Sequence, residues 1–154
     1  SVPLAEEKQQ LLQLNNCAQD VTIQANEGYL YQAFDNVLRN AIKYSPNGSV
    51  ITINCQMNKN ELSVSITDNG AGVDHAQLPH IFTAFYRADS SGTSNGTGLG
   101  LAIAKHVIEQ HQGVISAKNV LPHGLQIRFD LPIPKTKSTR LQKAAAIKPS
   151  NSKG

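Results

Sequence analysis

Apolar positions along this chain change period several times, and each change marks an element. Leu30, Phe34, Val37, Leu38 and Ala41 recur at helical spacing between residues 29 and 44 and predict a helix with one apolar stripe. Ser45-Pro46-Asn47-Gly48 ends it, since Pro and Asn-Gly favour a turn. SVITINCQM (49–57) and ELSVSITD (61–68) then alternate and are β-branched, with Asn58-Lys59-Asn60 between them, which predicts an antiparallel hairpin. LGLAIAKHVIEQH (99–111) reads as a second strong helix, and GVISAKNV (113–120) with GLQIRFDL (124–131) as a closing hairpin. Weaker signals predict a short helix over 4–14, a strand over VTIQA (21–25) and short helical pieces in HAQLPHIFTAFYRA. Helix, hairpin, loop, helix, hairpin is the order of an α/β two-layer sandwich with a largely antiparallel sheet.

Length and composition narrow this picture. A chain of 154 residues predicts one domain, and 40% hydrophobic residues suffice for a core, which the lack of Trp and the 5% of aromatics make aliphatic. The net charge of +3 is unevenly spread: residues 1–130 carry −3, and residues 131–154 carry six bases and no acid. The basic character therefore belongs to a patternless C-terminal tail, expected to be disordered, and the body is not a platform for nucleic acid. Cys17 and Cys55 are too few for a stapled secreted scaffold and lack metal-ligand spacing, so both are expected as reduced thiols in a cytoplasmic setting. No apolar run approaches eighteen residues and no charged-then-apolar leader is seen, so neither a membrane span nor a signal peptide is expected.

Four constellations carry candidate chemistry. Asn36, Asn40 and Lys43 lie within about 60° of one another on the helical wheel, opposite the apolar stripe. Carboxamide oxygens suit a hard cation, and a lysine one turn on suits a phosphate, although a plain solvated face has the same look. Asp68-Asn69-Gly70-Ala71-Gly72 follows a strand; its carboxylate can accept from an exocyclic amine while the glycines admit a close ligand, or the segment is only an Asn-Gly turn. Gly96-Thr97-Gly98-Leu99-Gly100-Leu101 opens the second helix, where unpaired N–H groups make an anion site. A side chain at Gly98 is thus expected to block a phosphate while leaving the fold intact. Finally, Phe82 and Phe85 stand just before a small, polar stretch (87–98) as hinge anchors or as core, with Arg87 in reach of a phosphate.

Taken together and in order, Asn36-x-x-x-Asn40-Ala-x-Lys43-Tyr44, Asp68-x-Gly-x-Gly72, Phe82-x-x-Phe85-Tyr86-Arg87 and Gly96-Thr-Gly-Leu-Gly-Leu101 closely resemble the N, G1, F and G2 boxes. These mark the ATP-binding catalytic domain of bacterial sensor histidine kinases, in the gyrase, Hsp90, histidine kinase and MutL superfamily. The likeness covers about residues 21–131, and FYRAD with HGLQIRFDLP looks most like Cpx- or EnvZ-type membrane sensors. It implies a Bergerat-type sandwich: a mixed, mostly antiparallel sheet on about three helices, with a flexible ATP lid over 87–98. The domain is expected over residues 1–131, its first twenty partly linker, with 132–154 as tail.

By the resemblance, Asn40 would ligate Mg²⁺ with Asn36 nearby, Lys43 and Arg87 would meet phosphate oxygens, and Tyr44 would pack near adenine. Asp68 would accept from the adenine amino group, with Gly70 and Gly72 shaping that pocket. Gly96, Thr97, Gly98, Leu99, Gly100 and Leu101 would wrap the phosphates, and Tyr86 completes the ATP-binding set. Hydrolysing members of the superfamily carry a Glu four residues before the metal-binding Asn; Asn36 stands there and is no base at neutral pH. That favours phosphotransfer over hydrolysis. None of His75, His80, His106, His111 or His123 has the His-Glu-x-x-Thr/Pro context of a phospho-acceptor, so the dimerisation and acceptor domain is expected outside this chain. The implied activity is ATP-dependent histidine phosphorylation for relay to a response regulator, with little or no turnover by the chain alone. Implied partners are the acceptor domain and a cognate regulator, without nucleic acid, on the cytoplasmic side of a membrane held by the full-length protein. A nucleotide-binding module without catalysis and an ATPase of the same superfamily are the alternatives.

Overall fold

Asn26 starts the long helix: its side-chain oxygen accepts from the Tyr29 N–H, satisfying one of the donors that a helix start leaves free. In the computed structural model, which describes residues 2–17, 25–87 and 98–133, a short helix α1 (Val2–Glu7) and a strand β1 (Leu11–Asn15) precede this helix, α2 (Glu27–Tyr44). The first expected hairpin is β2 (Val50–Met57) and β3 (Glu61–Thr67). After a 3₁₀ turn at His75–His80 come α3 (Gly100–Gln110), β4 (Val114–Asn119) and β5 (Leu125–Pro132). The five strands form one sheet in the order β1-β2-β3-β5-β4, parallel between β1 and β2 and antiparallel elsewhere.

Alternation along the strands sends Ile51, Ile53, Val64, Ile66, Leu125, Ile127, Phe129 and Leu131 to the buried face. There they meet Ala33, Val37, Leu38, Ala41 and Ile42 of α2 and Ala104, Val107 and Ile108 of α3. Ile51, Ile66, Ile108 and Val37 are among the largest fully buried side chains, each worth roughly 1.5–3 kcal/mol in burial. Phe129 apart, the buried core is aliphatic, as composition led one to expect. Asn26 also ties the layer together: its N–H donates to His111 Nε2 at 3.0 Å, while His111 Nδ1 lies 2.8 Å from the Val107 carbonyl oxygen.

The expected helix over 4–14 is half right: it stops at Glu7, and Leu11–Asn15 is a strand. The break falls at Gln9, with φ of 54°. On either side of it, Lys8 Nζ donates to the carbonyls of Ile42 (2.7 Å) and Ser45 (2.7 Å), and buried Gln10 Nε2 donates to the same two (3.1 and 3.0 Å). The last carbonyls of α2 have no partner within the helix, and a cation there also meets the negative end of the helix dipole. These partners are more than thirty residues away in sequence, so local periodicity could not announce the break. The same parallel pairing overturns the expectation of reduced thiols. With β1 alongside β2, Cys17 returns next to Cys55, and the two sulfurs form a disulfide.

Most of the strand expected at 21–25, the polar stretch 88–97 and the tail from 134 lie outside the described residues. Among the described residues, no helix is long and apolar enough to cross a membrane.

Candidate functional site

A cleft of about 950 Å³ opens between the polar face of α2, the loop after β3, residues 81–87 and the start of α3. Its size suits a small organic ligand. Asn36, Asn40, Lys43 and Tyr44 line it from α2, because the apolar stripe on the other side of that helix is committed to the sheet. Among the described residues, Asn36 Nδ2 is buried without a hydrogen-bond partner, a deficit of about 1–3 kcal/mol that an oxygen-rich ligand would relieve. The Lys43 ammonium lies 5.2 Å from the centre of the Tyr44 ring, with both side chains exposed.

Asp68 forms one end of the cleft. It is only 6% exposed, and its Oδ1 accepts from the N–H groups of Gly70 (3.0 Å) and Leu125 (2.8 Å). Among the described residues Oδ2 has no hydrogen-bond partner. Burial raises the Asp68 carboxyl above its ordinary value, against the two N–H groups and His123, which pull it down. Behind it, the Asn69 N–H donates to Ser45 Oγ at 3.0 Å, and a Cβ on Gly70 would lie 2.6 Å from the Tyr44 carbonyl oxygen. Gly70 therefore does not line the cleft; its missing side chain lets the loop dock on the end of α2. Gly72 does line it, with φ of +79°.

Tyr86 and Arg87 close another side, with the His80 ring tilted 5.6 Å from Tyr86. Phe82 is half-buried against the core, whereas Phe85 is 71% exposed at φ 65°, so the two do not act as a pair. The Phe85 N–H donates to the Gly98 carbonyl at 2.9 Å. Gly98, Gly100 and Leu101 bring the start of α3, with its free N–H groups, to the cleft; Leu99 stands just before the helix and does not line it. Gly96 and Thr97 lie outside the described residues.

The contacts of Gly98 correct the expectation that a side chain there would spare the fold. Gly98 has φ +75°, and a Cβ would lie 2.8 Å from the Phe85 carbonyl carbon and 3.0 Å from the Tyr86 oxygen. Gly100 is different: the nearest atom to its Cβ would be Asn36 Cβ at 3.8 Å. In urea denaturation Gly98→Val is expected to lose about 2–4 kcal/mol, from left-handed strain and backbone overlap, and Gly100→Ala less than about 0.5 kcal/mol. Equal losses would show that the Gly98 turn is not under this constraint.

Sequence reasoning missed Arg39, Asp74 and Gln77, which also line the cleft. Arg39 was readable one turn from Asn36 on the same face; it is held by Asp35 at 2.8 Å. Asp74 and Gln77 belong to no motif and reach the cleft only through the 3₁₀ turn. Among the described residues no cluster of His, Cys, Asp or Glu can hold a metal ion, so a cation here would rely on carboxamide oxygens and on the ligand itself.

Residues 25–135 match the family model described as histidine kinase-, DNA gyrase B-, and HSP90-like ATPase. The sensor histidine kinase WalK of Bacillus subtilis is 38% identical over 117 residues, 73% of this chain, which spans only 19% of that protein's length. The mycobacterial sensor histidine kinase MprB superposes with a TM-score of 0.71 at 26% identity, covering 85% of this chain and 94% of that one. Full-length ShkA in complex with AMPPNP gives 0.72 at 28% identity, over 84% of this chain and 27% of that one. These names do not single out the Cpx or EnvZ subgroup. The family match runs from the residue before the cap of α2 to just past the end of β5, and so takes in every residue that lines the cleft except Leu4: the chain belongs to the histidine kinase-, DNA gyrase B- and HSP90-like ATPases.

Proposed function

We propose that this chain is the ATP-binding catalytic domain of a two-component sensor histidine kinase, spanning residues 1–131, with a basic tail beyond. It binds Mg-ATP and delivers the γ-phosphate to a histidine on a dimerisation domain outside this chain, for relay to a response regulator. The carrying observation is convergence on one cleft of a carboxylate oxygen without a partner, a carboxamide–lysine face and a helix start. The likeness to WalK and to AMPPNP-bound ShkA supports the same reading.

Asp68 Oδ2 accepts from the adenine amino group, with Gly72 giving the base room. Lys43 and Arg87 supply positive charge to the phosphates, and the N–H groups at the start of α3 supply directed donors. Because the body carries −3, these cations act locally rather than through a general basic field. Asn40, with Asn36 beside it, suits Mg²⁺, since hard cations take oxygen ligands and keep phosphate oxygens and waters. Bound there, the cation would offset phosphate charge in a transfer that depends on positioning and electrostatics. Asn36 stands where hydrolysing members carry a carboxylate, four residues before Asn40, and leaves that position without a base for water, which favours transfer to a supplied acceptor. The full-length protein would hold this domain on the cytoplasmic side of a membrane; the Cys17–Cys55 disulfide is the observation that favours an oxidising compartment instead.

Two assays on the intact chain test this. Calorimetric titration should show AMPPNP binding that strengthens with Mg²⁺. With radiolabelled ATP, phosphate release by the chain alone should be negligible, and label should appear on the histidine of an added acceptor domain. Sustained phosphate release without acceptor would make the chain an ATPase. Binding with no transfer to any acceptor would leave a nucleotide-binding module.

A further inference from the structure

The loop that carries the base-recognising carboxylate is tied to the sheet at both ends, and one tie is a side chain outside every motif. At its start, Asp68 Oδ1 accepts from the Leu125 N–H and the Asp68 N–H donates to the Leu125 carbonyl at 2.9 Å. At its far end, Asn119 meets Val73 with both ends of its carboxamide. The Val73 N–H donates to Asn119 Oδ1 at 2.9 Å, and Asn119 Nδ2 donates to the Val73 carbonyl at 2.6 Å. Asn119 is the last residue of β4 and pairs in register with Leu125. Both ties therefore end on the same rung of the β4–β5 ladder. Gly72 lies between them at φ +79°, and a Cβ there would come within 2.7 Å of Asn119 Oδ1. Gly72 and Val73 line the cleft; Asn119 does not.

A carboxamide that donates to and accepts from one residue's backbone reproduces what a neighbouring strand would offer it. The loop is thereby held as if it were part of the sheet, while its glycines keep room for a ligand. We infer that Asn119 is a positioning residue for adenine-nucleotide binding: it fixes the Gly72–Val73 wall relative to Asp68, so that the base meets a preformed slot. This rests on the nucleotide-binding reading. Asn119 is exposed, so the global fold has little stake in it, and an effect on binding is separable from an effect on stability.

The test is AMPPNP titration of the whole chain, wild type and Asn119→Ala, with thermal melting beside it. Asn119→Ala should keep its melting temperature within a few degrees and bind AMPPNP about tenfold more weakly, because a wall ordered only on binding draws on the binding energy. A merely structural residue would weaken binding by the same factor in any background. A positioning residue acting through the base slot should couple to Asp68. In an Asp68→Asn background, therefore, Asn119→Ala should cost less than about twofold. Asn119→Asp retains the acceptor for the Val73 N–H but sets a carboxylate against the Val73 carbonyl, and should also bind weakly. If Asn119→Ala does not fold, Asn119→Asp is read in its place. Binding by the folded variant within twofold of wild type, or an equal loss in both backgrounds, overturns the inference and leaves the nucleotide-binding reading standing. Failure of the wild type itself to bind AMPPNP overturns both.

Discussion

Asp68→Asn should bind AMPPNP about 30-fold more weakly than the wild type at pH 7, and should nearly erase the preference for adenine over guanine nucleotides. A buried acceptor matched to an exocyclic amine is among the strongest discriminators a pocket has, because the wrong partner leaves a desolvated polar group unpaired. Asn can keep its Oδ1 for the N–H groups of Gly70 and Leu125, so the loop should hold its shape. Its Nδ2 then presents a donor where the carboxylate presented an acceptor, and two donors face each other. Stability should move the other way. Burial raises the folded-state pKa of Asp68 above the ordinary carboxylate value of 3.8. A carboxyl whose folded pKa is raised contributes stability below its unfolded value, and that contribution is lost as pH rises through the folded value. At neutral pH the wild type thus carries a desolvated charge that Asn lacks. The variant should be the more stable of the two at pH 7 in urea, with its advantage vanishing as pH falls toward 3.8 and below. Calorimetry with AMPPNP and GMPPNP reads the first effect. An unchanged ratio of the two affinities would remove Asp68 from base recognition.

That opposition of binding and stability is what a preformed recognition site implies. The same desolvation that makes the carboxylate selective makes it costly in the empty protein, and the loop's ties to the sheet hold it in place against that cost.

Much of this was legible in the sequence because the relevant periods are local. The stripe of α2, the alternation of the two hairpins and the glycine-marked start of α3 are each decided within a dozen residues. Elements fixed by distant partners were not legible. The 4–14 segment carries a helical pattern, yet Lys8 and Gln10 are drawn to carbonyls of α2 and the following residues pair with β2. Cys17 and Cys55 are 38 positions apart, and only that parallel pairing makes them neighbours. At the site, the polar face of α2 and the Asp68 loop meet in one cleft. Gly70 was read as shaping the pocket but is pressed against the Tyr44 backbone, and Gly98, which does line the cleft, is also pressed against the backbone of Phe85 and Tyr86, because a glycine in a sequence does not say which neighbour needs the room. Asn119 was invisible for the opposite reason: its work is done through another residue's backbone.

Asn40→Ala carries the other large expectation, since it separates the metal from the nucleotide. With no carboxylate cluster among the described residues, a divalent cation in this cleft has few protein oxygens to draw on. Its hold depends on a carboxamide and on the phosphates that arrive with it. Removing the Asn40 oxygen should therefore lower AMPPNP affinity about 100-fold in the presence of Mg²⁺, and change metal-free affinity by less than about threefold. The ratio of affinities with and without Mg²⁺, measured on one preparation, cancels any general loosening of the cleft. Melting should be nearly unchanged, because Asn40 lies on the face of α2 turned from the sheet, while Val37, Leu38 and Ala41 hold the helix down. Lys43, one turn on, remains in the variant and keeps its charge for the metal-free phosphates. If the Mg²⁺ enhancement survives in Asn40→Ala, the cation is held elsewhere. Asn36, whose buried Nδ2 has no partner among the described residues and whose carboxamide lies one turn back on the same face, is then the residue to replace next.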